Sequence, residues 1–296
     1  MTSTLERALH DLGEAAKETE IAFFGGSFTA IERTYMLTLL EAAKPFLKYF
    51  YGIRISTRPD CIDRDVLALL KAYHVTAIEL GAQSMDNSVL ELNRRGHTAE
   101  DVVNASCLIR ENGISLGLQM MTGLYGSTPG KDIATAEAFI ALQPDTVRIY
   151  PTVIMKGTEL AELFQNGSFA PYSLDESVGL CAGLILMFAK ADINIIRLGL
   201  HYSESLVQNS LGNNYHPAFK ELCESKIFFD SFLHQAKDLA QKHVIATIHP
   251  KSLSKFLGQH KSNLKRWEEM GFRVEWQMDH TYEKYELGVW NATEIS

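Results

Sequence analysis

The chain has 296 residues, 46% of them hydrophobic and 22% charged, with a formal charge of −8 at pH 7. That balance belongs to a globular protein and excludes a chain dominated by disorder. The acidic total argues against nucleic-acid binding by bulk electrostatics, though a local basic patch remains compatible with it. No apolar run reaches the roughly 18 residues needed to span a bilayer. The opening "MTSTLERALHDLGEAAKE" lacks the charged-then-apolar order of a signal peptide. A cytoplasmic location is the default expectation, with no membrane partner.

In chain order, Ser3 to Glu6 fits a capping box, followed by Leu5, Ala8, Leu9 and Leu12 at helical spacing. Five short apolar runs come next, each leading into a segment rich in Gly, Ser, Thr or Pro: "IAFF" into "GGSF", "YGIRI" into "STRPD", "TAIEL" into "GAQS", "LGLQM" into "MTGLYG", and "TVRIY" into "PTVIMKGT". Helical stretches separate them. "DRDVLALLKAYH" sets Val66, Leu69, Leu70 and Tyr73 on one face, and "TAEDVVNASCLIRENG" opens on Thr98 as N-cap and stops at Gly113. Alternating strands and helices predict βαβ units on a parallel sheet, with the polar strand ends building a ligand site.

Residues 161–200 read as mostly helical, with "VGLCAGLILMFAKA" as a buried helix and "INIIRLGL" as a further apolar run. "LGNNYHPAFKELCES" reads as a loop with no assignable chemistry. Beyond it, "HVIATIH", "PKSLSKFL", "LKRWEEMG" and "FRVEWQM" predict a small βααβ module. The expected organisation is a body over residues 1–230 and a module over 231–296. The four cysteines, Cys61, Cys107, Cys181 and Cys223, form no local pair. They read as isolated buried thiols rather than a disulfide framework or metal site.

A double glycine after a strand is, alone, as well explained by a tight turn. Taken in order, however, "FFGGSF", "ISTRPD", "IELGAQS", "NRRGHT", "QMMTGLYGST" and "RIYPTVIMKGTEL" resemble the radical S-adenosylmethionine (SAM) enzymes. The similarity is to the branch holding the Elongator catalytic subunit and the oxygen-independent coproporphyrinogen oxidases, over about residues 18–200. The resemblance implies an α/β fold: a partial (β/α) barrel missing its first strand, plus the small C-terminal α+β module. It implies that Gly25 and Gly26 let the backbone approach the methionine end of SAM, with carbonyls at Gly26 and Ser27 as acceptors. Ser56 stands where relatives often carry a Glu that contacts SAM. Gln83 matches a Gln at a strand end, and Arg95 an Arg that pairs with the SAM carboxylate, with Arg94 as an adjacent competitor. Gln119 and Met121 would line the far wall. Tyr150 and Lys156 would face substrate. Without the resemblance, Arg94 and Arg95 read as a solvated pair, Glu79 as a buried hydrogen-bonded acid, and His74 and His97 as surface or capping residues.

The family's chemistry also needs a CxxxCxxC loop whose thiolates hold a 4Fe–4S cluster. No such loop occurs in this sequence, so no metal ligands or catalytic residues are assigned. A chain without the first barrel strand would leave a strand edge open, which favours a truncated or split start over evolutionary loss. The chain alone is therefore expected to be inactive. The C-terminal module has the spacing of a KH-like RNA-binding fold, with "GQHK" (Gly258 to Lys261) at its loop and Lys265 nearby; a solvated helix face is the plainer reading. The expected function is the body of a radical SAM enzyme acting on tRNA or a small metabolite. The alternative is a non-catalytic SAM- or RNA-binding protein on the same fold.

Overall fold

The computed structural model describes residues 1–294. Its strands, in chain order, are β1 (Glu20–Phe23), β2 (Gly52–Thr57), β3 (Val75–Gln83), β4 (Ser115–Thr122), β5 (Thr146–Pro151), β6 (Ile154–Met155), β7 (Asn194–Leu198), β8 (Ser210–Leu211), β9 (His243–Ile248), β10 (Arg273–Met278) and β11 (Leu287–Asn291). The helices are α1 (Thr2–Leu12), α2 (Arg33–Ala43), α3 (Arg64–Ala72), α4 (Asn87–Leu92), α5 (Ala99–Glu111), α6 (Pro129–Leu142), α7 (Glu159–Gln165), α8 (Leu174–Lys190), α9 (Glu204–Asn209), α10 (Phe219–Ala236), α11 (Leu253–Leu257) and α12 (Ser262–Glu269). Two compact units divide the chain: Met1–Thr152 with Ala191–Arg197, and Val153–Lys190 with the residues from Leu198 onward.

The first unit carries a six-stranded sheet in the order β1-β2-β3-β4-β5-β7, with parallel pairing from β1 through β5. All five runs predicted as strands form, and each crossover is a helix or a helical turn followed by a helix. The sheet curls into a partial barrel. Ile53, Ile55, Ile78, Leu80, Leu116, Leu118, Met120, Val147 and Ile149 point to its outer face and are at most 1% exposed. Helices α3, α5 and α6 pack against that face. The inner face instead carries Arg54, Ser56, Glu79, Gln119, Arg148 and Tyr150. Parallel strands normally read as continuous apolar runs because both faces are buried. Polar side chains at every second position therefore mark the inner face as something other than packed core.

Local signals set the helix boundaries. Asp63 accepts from Val66 N at 2.7 Å, Asp86 from Val89 N at 3.0 Å, and Thr98 with Asp101 closes a full capping box. The box expected at Ser3 and Glu6 does not form. α1 begins at Thr2 with no side-chain cap, and only Leu5 on it is buried. The buried face of α3 is also one position off the expected one, with Leu67 and Leu70 fully buried and Val66 and Leu69 only half-buried.

In the second unit, β9 is flanked by β10, parallel, and β11, antiparallel. The predicted βααβ order is present, and β11 is an addition to it. α10 spans residue 230 and contributes Phe228, Phe229, Phe232 and Ala236 to the same core as β9–β11. The segment read as a loop over 211–225 is helical from Phe219. Trp267 centres this core, stacked on Phe232 with centroids 4.2 Å apart. Of the cysteines, only Cys181 and Cys223 are buried, and they are not isolated: their thiols are hydrogen-bond neighbours. Burial pushes the Cys223 thiol far up. Cys61 is half-buried and Cys107 exposed.

Candidate ligand-binding site

A cavity of about 360 Å³ opens at the carboxyl ends of β1 to β4. Of the residues predicted for the cofactor, Gly26, Ser27, Ser56, Gln83, Arg95 and Gln119 line it. Gly25 and Met121 do not. Gly25 has φ +110, a backbone angle that favours glycine, and no described protein atom lies within 4 Å of where a Cβ would stand. Met121 shares the inner face with Gln119 but lies further along β4. Thr57, Arg58, Gly81, Arg94 and His97 complete the wall. None of the lining residues is a carboxylate.

The glycine loop is tied down from β2. Thr57 Oγ1 accepts from Thr29 N at 3.2 Å and lies 2.6 Å from Thr29 Oγ1. Gln83 reaches the cavity through an irregularity. The β3–β4 register shifts between Leu80 and Gln83, placing Gln83 opposite Met120 of the apolar face. A left-handed backbone, φ +67, turns its side chain inward, where Oε1 accepts from Gln119 Nε2 at 3.1 Å. Bulges that re-aim one side chain are common beside ligand sites, and the strain of a non-glycine residue there costs about 1 kcal/mol or more. Gly81 is part of this device, since a Cβ would come within 2.9 Å of Gln83 Nε2.

Two groups in the wall have unmet bonding capacity. Arg95 is half-buried, and its guanidinium has no hydrogen bond or ion pair with a described residue. Burial, and then the nearby Arg58 charge, hold its pKa below the usual guanidinium value. His97, read as a surface or capping residue, is only 7% exposed. Its Nε2 lies 3.0 Å from the Ala82 carbonyl, to which it donates, and its buried Nδ1 has no described partner. Arg94, left-handed at φ 49, is exposed.

Deeper on the inner face, Glu79 is the buried acid anticipated from its strand position, at 3% exposure. It accepts from Arg54 Nη1 at 3.2 Å and Arg148 Nη2 at 2.9 Å, while Arg54 Nε also donates to Glu20 at 2.6 Å. Arg148 lies 4.9 Å from the Phe24 ring, so it bridges β5 to the end of β1. Burial opposes its charge, but bonds to Glu79 and Tyr150 outweigh that and raise its pKa. Tyr150 stands on this face beside Met121. Lys156 belongs to the second unit, where its exposed ammonium donates to the Gln208 carbonyl at 2.9 Å.

The Radical SAM superfamily profile matches residues 2–139, and the Radical SAM C-terminal domain profile matches residues 144–228. The chain belongs to the radical SAM superfamily. A tRNA uridine(34) acetyltransferase of Dehalococcoides mccartyi is 30% identical over 200 residues, 60% of this chain and 44% of that protein. Human Elongator complex protein 3 is 30% identical over 202 residues, 60% of this chain and 37% of its own. This chain thus spans less than half the length of these curated relatives. The structure of Methanocaldococcus infernus Elp3 with an N-terminal deletion superposes with a TM-score of 0.64 at 22% identity, over 78% of this chain and 58% of that one.

Radical SAM proteins bind SAM and a 4Fe–4S cluster, and the two groups fare differently here. An unpaired half-buried guanidinium and a bulge-held amide pair suit a ligand carrying both an anion and hydrogen-bonding groups, as SAM does. The cluster does not fit. Among the described residues no three His, Cys, Asp or Glu side chains gather to hold a metal, and the four cysteines lie on separate elements.

The module's basic residues divide. Lys255 pairs with buried Glu224 at 3.3 Å, and Arg266 lies 3.7 Å from the Phe229 ring. Lys261 and Lys265 remain exposed. Gly258, φ +73, packs against α10: a Cβ would come within 2.8 Å of Ser225 Oγ and 2.5 Å of Ser262 Oγ. No described helix is long and apolar enough to cross a membrane.

Proposed function

We propose that this chain is the SAM-binding body of a radical SAM protein, holding the amino-acid end of SAM in the cavity at the β1–β4 ends. The observation that carries this reading is Arg95, a half-buried guanidinium with no side-chain partner among the described residues, in a wall without carboxylates. A partly desolvated cation gains from a matching charge, and a ligand carboxylate matches a guanidinium with a planar, bidentate geometry. Gln83, Gln119, Ser56 and the Gly26–Ser27 backbone supply the neutral donors and acceptors around it. SAM bound there provides the 5′-deoxyadenosyl group on which the family's chemistry depends.

The proposed substrate class is tRNA, with Tyr150 on the inner face and Lys156 as substrate-side residues. Support comes from the relatives, one of which acts on tRNA uridine 34, and from exposed Lys261 and Lys265 on the C-terminal module. The acetyl transfer of that relative is not carried over, because the match covers 44% of it. The organisation into a body and a C-terminal module is kept in this reading, with α10 as the helix both descriptions share.

Equilibrium dialysis of the 296-residue chain against S-adenosylhomocysteine tests the proposal. Wild type should bind, and Arg95→Ala should weaken binding by about tenfold or more, the worth of a hydrogen bond to a charged group. Absence of binding at millimolar ligand, or equal binding by the variant, overturns it. Anaerobic reconstitution separates this body from a self-sufficient enzyme. Stoichiometric iron uptake would contradict the poor fit for a cluster.

A further inference from the structure

Arg58 and Arg94 line the cavity beside Arg95, and Arg58 is held in an unusual way. Arg58 follows β2 in the "TRPD" stretch, and its Nε and Nη2 donate to the two oxygens of Asp60 at 2.9 and 2.6 Å. Nη2 also donates to the Gly96 carbonyl at 3.1 Å. The fork is therefore clamped on one edge, and Nη1 has no described partner. A side chain of this length is ordinarily mobile, so three bonds on one edge cost conformational entropy that a mere surface pair does not repay.

Gly96 explains how the clamp is accommodated. Its φ is +72, and a Cβ there would lie 2.8 Å from Arg58 Nη2 and 3.6 Å from both Cζ and Nη1. Any larger residue would push the guanidinium off its seat. The glycine between Arg95 and His97 thus makes room for the arginine of a motif 38 residues earlier. Two separate stretches, "TRPD" and "NRRGHT", close into one structural unit. Arg58 and Arg95 line the same cavity, so both cations face one space.

We infer that Arg58 is the second arm of an anion clamp: Asp60 and Gly96 fix it so that its free Nη1 edge and the Arg95 guanidinium receive one carboxylate between them. Asp60 neutralises Arg58 from behind, which limits the repulsion between the two guanidiniums until an anion arrives. Arg58, Asp60 and Arg95 together then carry about one net positive charge, which a single carboxylate matches. This inference rests on the SAM reading and refines it, because it assigns the amino-acid end of the ligand to a specific pair.

The test compares two ligands that differ in that end: S-adenosylhomocysteine, with the carboxylate, and 5′-methylthioadenosine, without it. Calorimetric titration is run on wild type, Arg58→Ala, Arg58→Lys and Gly96→Ala. Arg58→Ala should weaken S-adenosylhomocysteine by about tenfold and leave 5′-methylthioadenosine within twofold. Arg58→Lys should recover part of the loss through charge without the fork, and Gly96→Ala should resemble Arg58→Ala by displacing the guanidinium. Equal losses for both ligands, or no loss for either, overturn the clamp while the cavity reading stands. A wild-type chain that binds neither ligand removes both.

Discussion

Glu79 should be the most sensitive single position in the barrel unit. Its carboxylate is 3% exposed and serves two guanidiniums, but the two depend on it unequally. Arg54 keeps Glu20 at 2.6 Å if Glu79 is lost. Arg148 keeps only a long contact to Tyr150 at 3.5 Å and the Phe24 ring at 4.9 Å. Replacing Glu79 by Met conserves bulk and strands Arg148 as a poorly solvated charge. Breaking a buried pair from one side costs about 3–5 kcal/mol, whereas replacing both partners by apolar residues is far milder. At about 3 kcal/mol, Tm falls by about 6–12 °C for a cooperative unit of 150–250 residues. The assay is thermal unfolding of wild type, Glu79→Met, Arg148→Met and the double variant as a cycle. The double variant should melt above Glu79→Met by several degrees. A single variant costing less than about 1 kcal/mol, or additive losses in the cycle, would refute the claim that Arg148 depends on Glu79.

Trp267 is fully buried, yet its Nε1 has no described hydrogen-bond partner. Trp267→Phe should therefore cost less than about 1.5 kcal/mol in urea unfolding, as deleting the unpaired N–H offsets lost contacts, while Trp267→Ala should cost about 3–5 kcal/mol. Burial, and then the 2.8 Å bond to Glu224, raise the Tyr285 pKa above its usual value. A group with a raised folded-state pKa stabilises fully below its unfolded value, about 10, and that contribution is lost at higher pH. Wild type should then lose melting temperature above pH ~10 more steeply than Tyr285→Phe; parallel profiles would contradict this. If Lys261 and Lys265 contact RNA, reversing both to Glu should abolish salt-dependent tRNA retention in a filter-binding assay. No retention by wild type at low salt would remove that role.

The strands were legible because apolar runs ending in Gly, Ser and Thr have a strong local signature. Gly26, Ser56, Gln83 and Gln119 could be placed together because they sit at those ends. What could not be read depends on contacts between distant segments. His97 sits in a polar stretch and so looks solvated; its burial follows from the Ala82 carbonyl, 15 residues away, which no local pattern shows. β11 escaped because its pairing with β9 is decided by register across the sheet rather than by strong alternation within "LGVWN". Arg58 left one clue, an Asp two residues on that can grip its own fork. The clue only acquires meaning beside Gly96. For a glycine, sequence shows that a side chain is missing, not whether the backbone angle or the space requires it. Gly25 is a case of angle, with φ +110 in open surroundings, and Gly96 combines a positive φ with a near neighbour. A glycine pressed against another motif's guanidinium ties that motif to the site, and this is how the cavity wall extends from Arg95 to Arg58.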